Sequence, residues 1–458
     1  MPTGSRNPII PSMKARDALR LLSTTRGAQV SRTLTRRWST LLDNGASCRR
    51  ALVGSALRAL VLMGAIGCGV ARGPRLEPVR WQPLDSLLRA AVVAGDIPGA
   101  VVLVTSRDRI VYERAVGTLD PASGRSLSGN AVFNIASMTK PITSVAAMML
   151  VDEGKIDLDA PASRYLPELK DRQLLVRVDS ARGAAVTKPA TREITVRDLL
   201  RHTSGFGYSF SNTDLRALEK HTTMTDRAAP LLHEPGSQWT YGMGTAHVGW
   251  IIEQVSGMPL ETFLRQRLFE PLGMEETSFS LPASRAVRLM TLYRRRDGKL
   301  VARARPDSIA TEGRGDGDLH STAKDYALFL QFMLGDGTWG RKRLLRTTSM
   351  QAMMRDQLGG LTVTEQPSAM PGVSAAFPLG AGRDGFGLGF QVAVRSPDGR
   401  PDGTLSWSGL FNTHFWIDRT TGIGVLFMTQ VLPFYDGRVM GVVRAVERTI
   451  YRSRGAAP

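Results

Sequence analysis

Apolar residues recur at helical spacing from Leu84 to Val93 and give way at Gly95, which predicts a first helix over 84–93. Two short β-branched runs, 100–104 and 110–116, flank the polar turn Ser106-Arg107-Asp108-Arg109 and predict a hairpin. A longer helical stretch begins at Ser137 and runs through Met148, Met149 and Leu150 to Gly154. Over the middle of the chain the pattern supports only short helices and loops, with helices at 196–201, 244–255, 260–268, 321–334 and 347–358. Strand patterns return at 387–395, 403–407, 411–417 and 422–428, and a helix over 437–452 closes the chain. Strands at both ends with helices between them predict an α/β protein of the α+β type. Its antiparallel sheet is flanked by helices and built from N- and C-terminal parts, about 82–150 and 385–452, with an inserted, mostly helical region at about 151–384. The cleft between the two parts is the natural place for chemistry.

Composition leaves this picture intact, since 42% apolar and 22% charged residues describe a folded globular chain. Charge changes it at one end. The net charge is +18, but the first 80 positions hold 14 Lys and Arg against 3 Asp and Glu, so +11 sits there and only +7 is spread over the other 378. No RNA-binding signature or zinc-type Cys/His spacing accompanies it, which argues against a nucleic-acid partner. The six histidines, His202, His221, His233, His247, His320 and His414, are scattered without metal spacing and read as structural or surface groups. No metal and no cofactor is expected, and the pattern is silent on oligomeric state.

The basic stretch reads instead as a targeting segment. Arg49-Arg50 and Arg58 precede an uninterrupted apolar run from Ala59 to Gly67 that ends at Cys68. A positive flank, a run of about 7 to 15 apolar residues and small residues at its end describe an export signal, too short to span a bilayer comfortably. Ala65-Ile66-Gly67-Cys68 also resembles a bacterial lipobox, which makes Cys68 a lipidation candidate; simple cleavage near Ala71 is the alternative. Residues 1–71 are therefore expected to be an extension with an export or lipoprotein signal, and the protein to be exported, periplasmic or attached to a membrane through its N-terminus. For the roughly fifty residues before the signal the plain expectation is a start codon placed too far upstream, and Thr35-Arg36-Arg37 is a faint twin-arginine hint. Both cysteines, Cys48 and Cys68, fall in this region, so the body has no disulfide and no thiol chemistry.

The helix predicted after Ser137 carries the candidate chemistry. Ser137-Met138-Thr139-Lys140 puts a hydroxyl and an amine at i and i+3, on one helix face with Cβ atoms roughly 5 to 6 Å apart. Pro141 lacks an N–H, and its ring conflicts with the carbonyl four residues back, at Ser137, least so if the helix begins at about Ser137. The hydroxyl then sits at the positive end of the helix dipole, where oxyanion charge is stabilised and an ammonium is encouraged to lose its proton. The spacing alone is not specific. Ser321-Thr322-Ala323-Lys324 repeats it, but with Asp325 and the amphipathic 326–330 behind it the second copy reads as a capped helix start, Lys324 in solvent. Taken in isolation, Ser137 is equally compatible with a simple cap.

The wider setting favours chemistry. F-N-I-A-S-M-T-K-P-I-T-S at 133–144, Ile97-Pro98-Gly99-Ala100-Val101-Val102 before it, and Leu199-Leu200-Arg201-His202-Thr203-Ser204-Gly205 and Leu319-His320-Ser321-Thr322 after it together resemble the serine β-lactamase superfamily. The resemblance is greatest to its class C-like branch, with family VIII carboxylesterases and D-alanyl-D-alanine peptidases, and it spans roughly 83–450. It implies a β-lactamase/transpeptidase-like catalytic domain over 82–452, with Ser137 as nucleophile and Lys140 as its partner. A second motif, usually Tyr-x-Asn, is matched by Tyr241 with Met243 in the asparagine's place. The third, usually Lys-Thr-Gly, is matched by Trp407-Ser408-Gly409; Trp-x-Gly at this place resembles the esterase branch. The resemblance makes Met243, Trp407, Ser408 and Gly409 the substrate-binding positions, with the N–H groups of Ser137 and Leu410 as oxyanion hole.

These residues imply acyl transfer through an acyl-enzyme, with Tyr241 and Lys140 sharing the serine proton. Two polar anchors are exchanged for apolar surface at Met243 and Trp407, so a short-chain or uncharged ester is the expected substrate. A β-lactamase or D-alanyl-D-alanine carboxypeptidase that anchors its carboxylate through arginines, and a non-catalytic envelope binding protein, are the alternatives.

Overall fold

The computed structural model describes residues 81–453, apart from 222–225, 310 and 312. The segment expected to be an export signal, with Cys68, lies outside the described residues. An eight-stranded sheet organises the rest. Its strands are β1 (Gly99–Thr105), β2 (Ile110–Asp120), β3 (Arg125–Ser126), β4 (Gly385–Phe386), β5 (Gln391–Val392), β6 (Leu405–Gly409), β7 (Thr413–Asp418) and β8 (Ile423–Met428). They lie in the order β4-β5-β6-β7-β8-β1-β2-β3, each antiparallel to its neighbour. Val101 stands opposite Met428 and Val102 opposite Phe427, so N- and C-terminal parts share one sheet, as the hydrophobic pattern predicts.

Side chains alternate between the faces of a strand. On one face, Ala100, Val102, Val425 and Phe427 pack under Leu84 and Leu88 of α1 (Gln82–Val93) and Val439, Val443 and Ile450 of the closing helix (Gly437–Arg452). On the other, Val101, Leu103, Phe415 and Leu426 meet α2 (Thr139–Asp152) and the helix Ala323–Leu334. With both faces covered, β1 is buried along its whole length, which is why its sequence is a continuous apolar run without alternation. Helix α2 is enclosed likewise: every residue from Thr139 to Leu150 is buried. Its polar side chains must therefore find partners inside the protein.

Two expectations change. Residues 387–395 are not one strand. Gly389 takes φ +100°, a left-handed conformation that turns the chain between β4 and β5, and a Cβ there would meet Ser144 Oγ at 2.5 Å. The middle region also contains more strand than its pattern suggests, with hairpins Gln173–Asp179/Ala184–Pro189 and Tyr293–Arg296/Lys299–Ala302. The strand Ala184–Pro189 is exposed throughout, so no apolar alternation marks it.

Candidate active site

The chain enters the site along a three-residue strand, Val132–Asn134, paired to His320–Thr322. A tight turn, Ala136–Met138, then leads into α2, so the helix proper starts two residues after Ser137. Ala136 takes φ +41°, uncommon for an L-residue and held here by its surroundings. The Asn134 side chain accepts the Ala136 N–H at 2.9 Å, Gln430 grips the Asn134 backbone, and Tyr326 donates its hydroxyl proton to the Met138 carbonyl at 2.9 Å. Ser137 is left half-buried at the turn.

The end of β6 closes against this turn. A Cβ on Gly409 would stand 2.2 Å from the Ile135 carbonyl oxygen, so only glycine lets the strand approach the serine so closely. Leu410, the next residue, is half-buried at the strand's end. Trp407 lies on the same strand face as Phe415, against the core that contains α2. Ser408, two-residue alternation dictates, projects to the opposite face, across from His414 and beside Tyr435. Any contact between Ser408 and a substrate on the serine side must come from its backbone.

Lys140 is buried, and its amine has three oxygen neighbours: Ser137 Oγ at 3.2 Å, Tyr208 Oη at 2.9 Å and the Asp316 carbonyl at 2.7 Å. The Tyr208 hydroxyl in turn makes a short hydrogen bond to the Asp316 carboxylate, which Arg314 also engages at 3.0 Å. Burial alone would raise the Asp316 carboxyl; the charges of Lys140 and Arg314 hold it below its ordinary range. The Tyr208 phenol is pushed well above its usual value by burial and by Asp316.

Tyr241 presents its ring to the amine, with Lys140 Nζ 4.8 Å from the ring centroid. Its hydroxyl is buried and has no hydrogen-bond partner among the described residues. Trp407 packs on it, ring centroids 5.0 Å apart, and His202 on both, at 4.9 Å from Tyr241 and 6.4 Å from Trp407. His202 is neutral: burial first, and then the charge of Lys140, hold its pKa well below the usual value. Met243 immediately precedes the helix Gly244–Ser256, buried in the same core.

The second Ser-x-x-Lys pattern is a capped helix start. Thr322 accepts the Asp325 N–H at 3.1 Å, Ser321 is buried against Thr277, and Lys324 is exposed, facing Glu113. Sequence reasoning missed Tyr208, Asp316 and the part His202 plays. Tyr208 follows the Leu199–Gly205 stretch by three residues, and Asp316 sits in the loop Gly313-Arg314-Gly315-Asp316; neither has a local spacing to Lys140 that marks it.

The Beta-lactamase family model matches residues 84–445. The chain belongs to the Beta-lactamase family. Among relatives, it is 30% identical to the lovastatin esterase of Penicillium rubens over 407 residues, 81% of this chain and 99% of that one. It is 29% identical to the ML-236A carboxylate methylbutanoyltransferase of Penicillium citrinum over 402 residues, 80% and 93% of the two chains. Among solved structures, the unliganded simvastatin synthase of Aspergillus terreus superposes with a TM-score of 0.70 at 26% identity, covering 81% of this chain and 97% of that one. With this family's fold and esterase and acyltransferase relatives, the chain is a serine hydrolase of the acyl-transfer type.

Proposed function

We propose that this Beta-lactamase family member is an esterase for short-chain, uncharged esters, with Ser137 as nucleophile. The observation that carries this reading is the buried Lys140 amine, 3.2 Å from Ser137 Oγ at the mouth of a helix, in a site walled by Tyr241 and Trp407. Ser137 Oγ attacks the ester carbonyl carbon while its proton passes to the Lys140 amine 3.2 Å away, which the Tyr241 ring faces. The N–H groups of Ser137 and Leu410 receive the oxyanion. The alkoxide leaves with that proton, returned by the Lys140 ammonium, and water or an alcohol then releases the acyl group from Ser137.

Substrate choice follows from what walls the site. Met243 and Trp407 offer no charged partner for a carboxylate, and Arg314 is engaged by Asp316. A lactam carboxylate thus lacks a charge-assisted contact of about 1.5 to 3 kcal/mol, roughly one to two decades in kcat/KM. The two relatives, an esterase and an acyltransferase, support the acyl-transfer chemistry of this reading. On sequence grounds alone we propose also that the basic leader is removed on export.

The test pairs labelling with turnover. A fluorophosphonate is expected to form its adduct on the peptide carrying Ser137 and not on that carrying Ser321, and Ser137→Ala to abolish nitrophenyl ester hydrolysis. Nitrocefin is expected to turn over slowly or not at all. An adduct on Ser321 overturns the nucleophile, absence of any adduct favours a binding protein, and nitrocefin turnover as efficient as ester turnover overturns the substrate class.

A further inference from the structure

We propose that Tyr208 and Asp316 form a positioning pair that compels the neutral Lys140 amine to aim its lone pair at Ser137. The inference rests on the reading of Ser137 and Lys140 as the acyl-transfer site, and deepens it.

Lys140 Nζ meets three oxygen neighbours. A tetrahedral amine bonded to its own side chain has three free directions, and here Ser137 Oγ, Tyr208 Oη and the Asp316 carbonyl are the groups that meet them. The carbonyl can only accept, so one direction always carries an N–H. Tyr208 is ambiguous by itself, since a phenol both donates and accepts. Asp316 removes the ambiguity: its ionised carboxylate accepts the phenolic proton, so toward Lys140 the Tyr208 oxygen can only accept. A second direction is thereby fixed as N–H. The one left for a lone pair, once the ammonium has lost a proton, points at Ser137 Oγ.

The attack step balances without any further group. The neutral amine takes the Ser137 Oγ–H proton as the Oγ–C bond to the acyl carbon forms and the carbonyl π electrons move to oxygen. The resulting ammonium then has three protons and three acceptors. The charged and titratable groups facing it are those already described: Tyr241 through its ring, His202 held neutral, and Asp316 with Arg314 behind it. Besides orienting Tyr208 through its carboxylate, Asp316 supplies through its own backbone carbonyl the second fixed acceptor of the amine. Tyr208 and Asp316 touch the amine rather than the reacting carbon, and their part is positioning.

The experiment uses the full chain with a nitrophenyl ester and measures kcat and KM across pH for Tyr208→Phe, Asp316→Asn and the double variant. Phenylalanine keeps the ring but frees the lone pair to turn away from Ser137, so kcat is expected to fall about a hundredfold, in the range of general-base contributions, with KM nearly unchanged. Asparagine keeps the shape but can turn an amide N–H toward the phenol, so the Tyr208 oxygen need no longer accept from Lys140; kcat is expected to fall at least about tenfold, with KM nearly unchanged. The double variant is expected to fall little below Tyr208→Phe, because members of one unit are non-additive. A Tyr208→Phe enzyme within about threefold of wild-type kcat, a loss far below general-base scale, overturns the proposal. So does an Asp316→Asn enzyme that keeps wild-type kcat, a variant isosteric enough to fold if the other does not. Ser137→Ala, run alongside, separates the failures. Activity surviving there sinks the acyl-transfer reading, whereas a dead Ser137→Ala beside an unimpaired Tyr208→Phe sinks only the positioning pair.

Discussion

Two serines with the same spacing to a lysine end in opposite circumstances, and the difference is made by single residues. Ser137 keeps its hydroxyl beside a buried amine, whereas Ser321 is spent on Thr277 and its lysine points to solvent. Asp198 shows how much one buried group can hold. Burial alone would raise its carboxyl, but bonds from Arg192, Thr203, the Thr195 N–H and Arg201 bring its pKa down to about 2. Against an ordinary value of 3.8, the carboxylate contributes about 2 kcal/mol to stability. A depressed folded pKa means this contribution is complete above pH 3.8 and is lost as pH falls toward 2. Asp198→Asn is expected to be less stable than wild type by about 2 kcal/mol at pH 7 in urea unfolding, with the gap closing between about pH 4 and pH 2. A gap that stays constant over that window would show that Asp198 acts by shape and not by charge.

At the scale of elements, the site depends on how closely β6 can approach the serine turn. Both carry constraints: Ala136 in a left-handed conformation on one side, Gly409 against the Ile135 carbonyl on the other. Gly409→Ala drives a methyl group into that carbonyl and pushes the strand end, with Leu410, off the turn. A displacement of about 1 Å near reacting groups is enough to cost roughly a hundredfold in rate. We expect kcat/KM for a nitrophenyl ester to fall by about that factor while the protein stays folded by circular dichroism. Activity close to wild type would mean that strand and turn adjust independently of the chemistry. The hairpin at 105–110 was legible because Thr105, Ser106 and Asp108 bond locally, with Ser106 Oγ 2.6 Å from Asp108 Oδ1. The break at Gly389 was not, since it answers to α2 and not to its own neighbours.

Across the whole molecule, the sheet joins segments more than three hundred positions apart, while most of the positive charge sits in the first 80 residues. If those residues are a leader, the mature body carries little net charge and its chemistry owes nothing to the basic end. Intact-mass analysis of protein from its native host is expected to show a chain beginning near Cys68 or Ala71, with a lipid-sized increment if Cys68 is the anchor. Recovery of all 458 residues from cytosol would rule the leader out. The sequence by itself determined what depends on short range and period. That includes the first and last helices, the antiparallel strands at both ends, the pairing of Ser137 with Lys140 three residues on, and the capped start at Thr322. Only the tertiary structure decided the rest of the site. Tyr208 and Asp316 reach Lys140 from 68 and 176 positions away, across loops with no repeating pattern. Ser408 turns from the serine because strand alternation, once Trp407 is fixed against α2, leaves its neighbour no other face. A local pattern records what a residue does for its own element, and a site is assembled from what several elements do for one another.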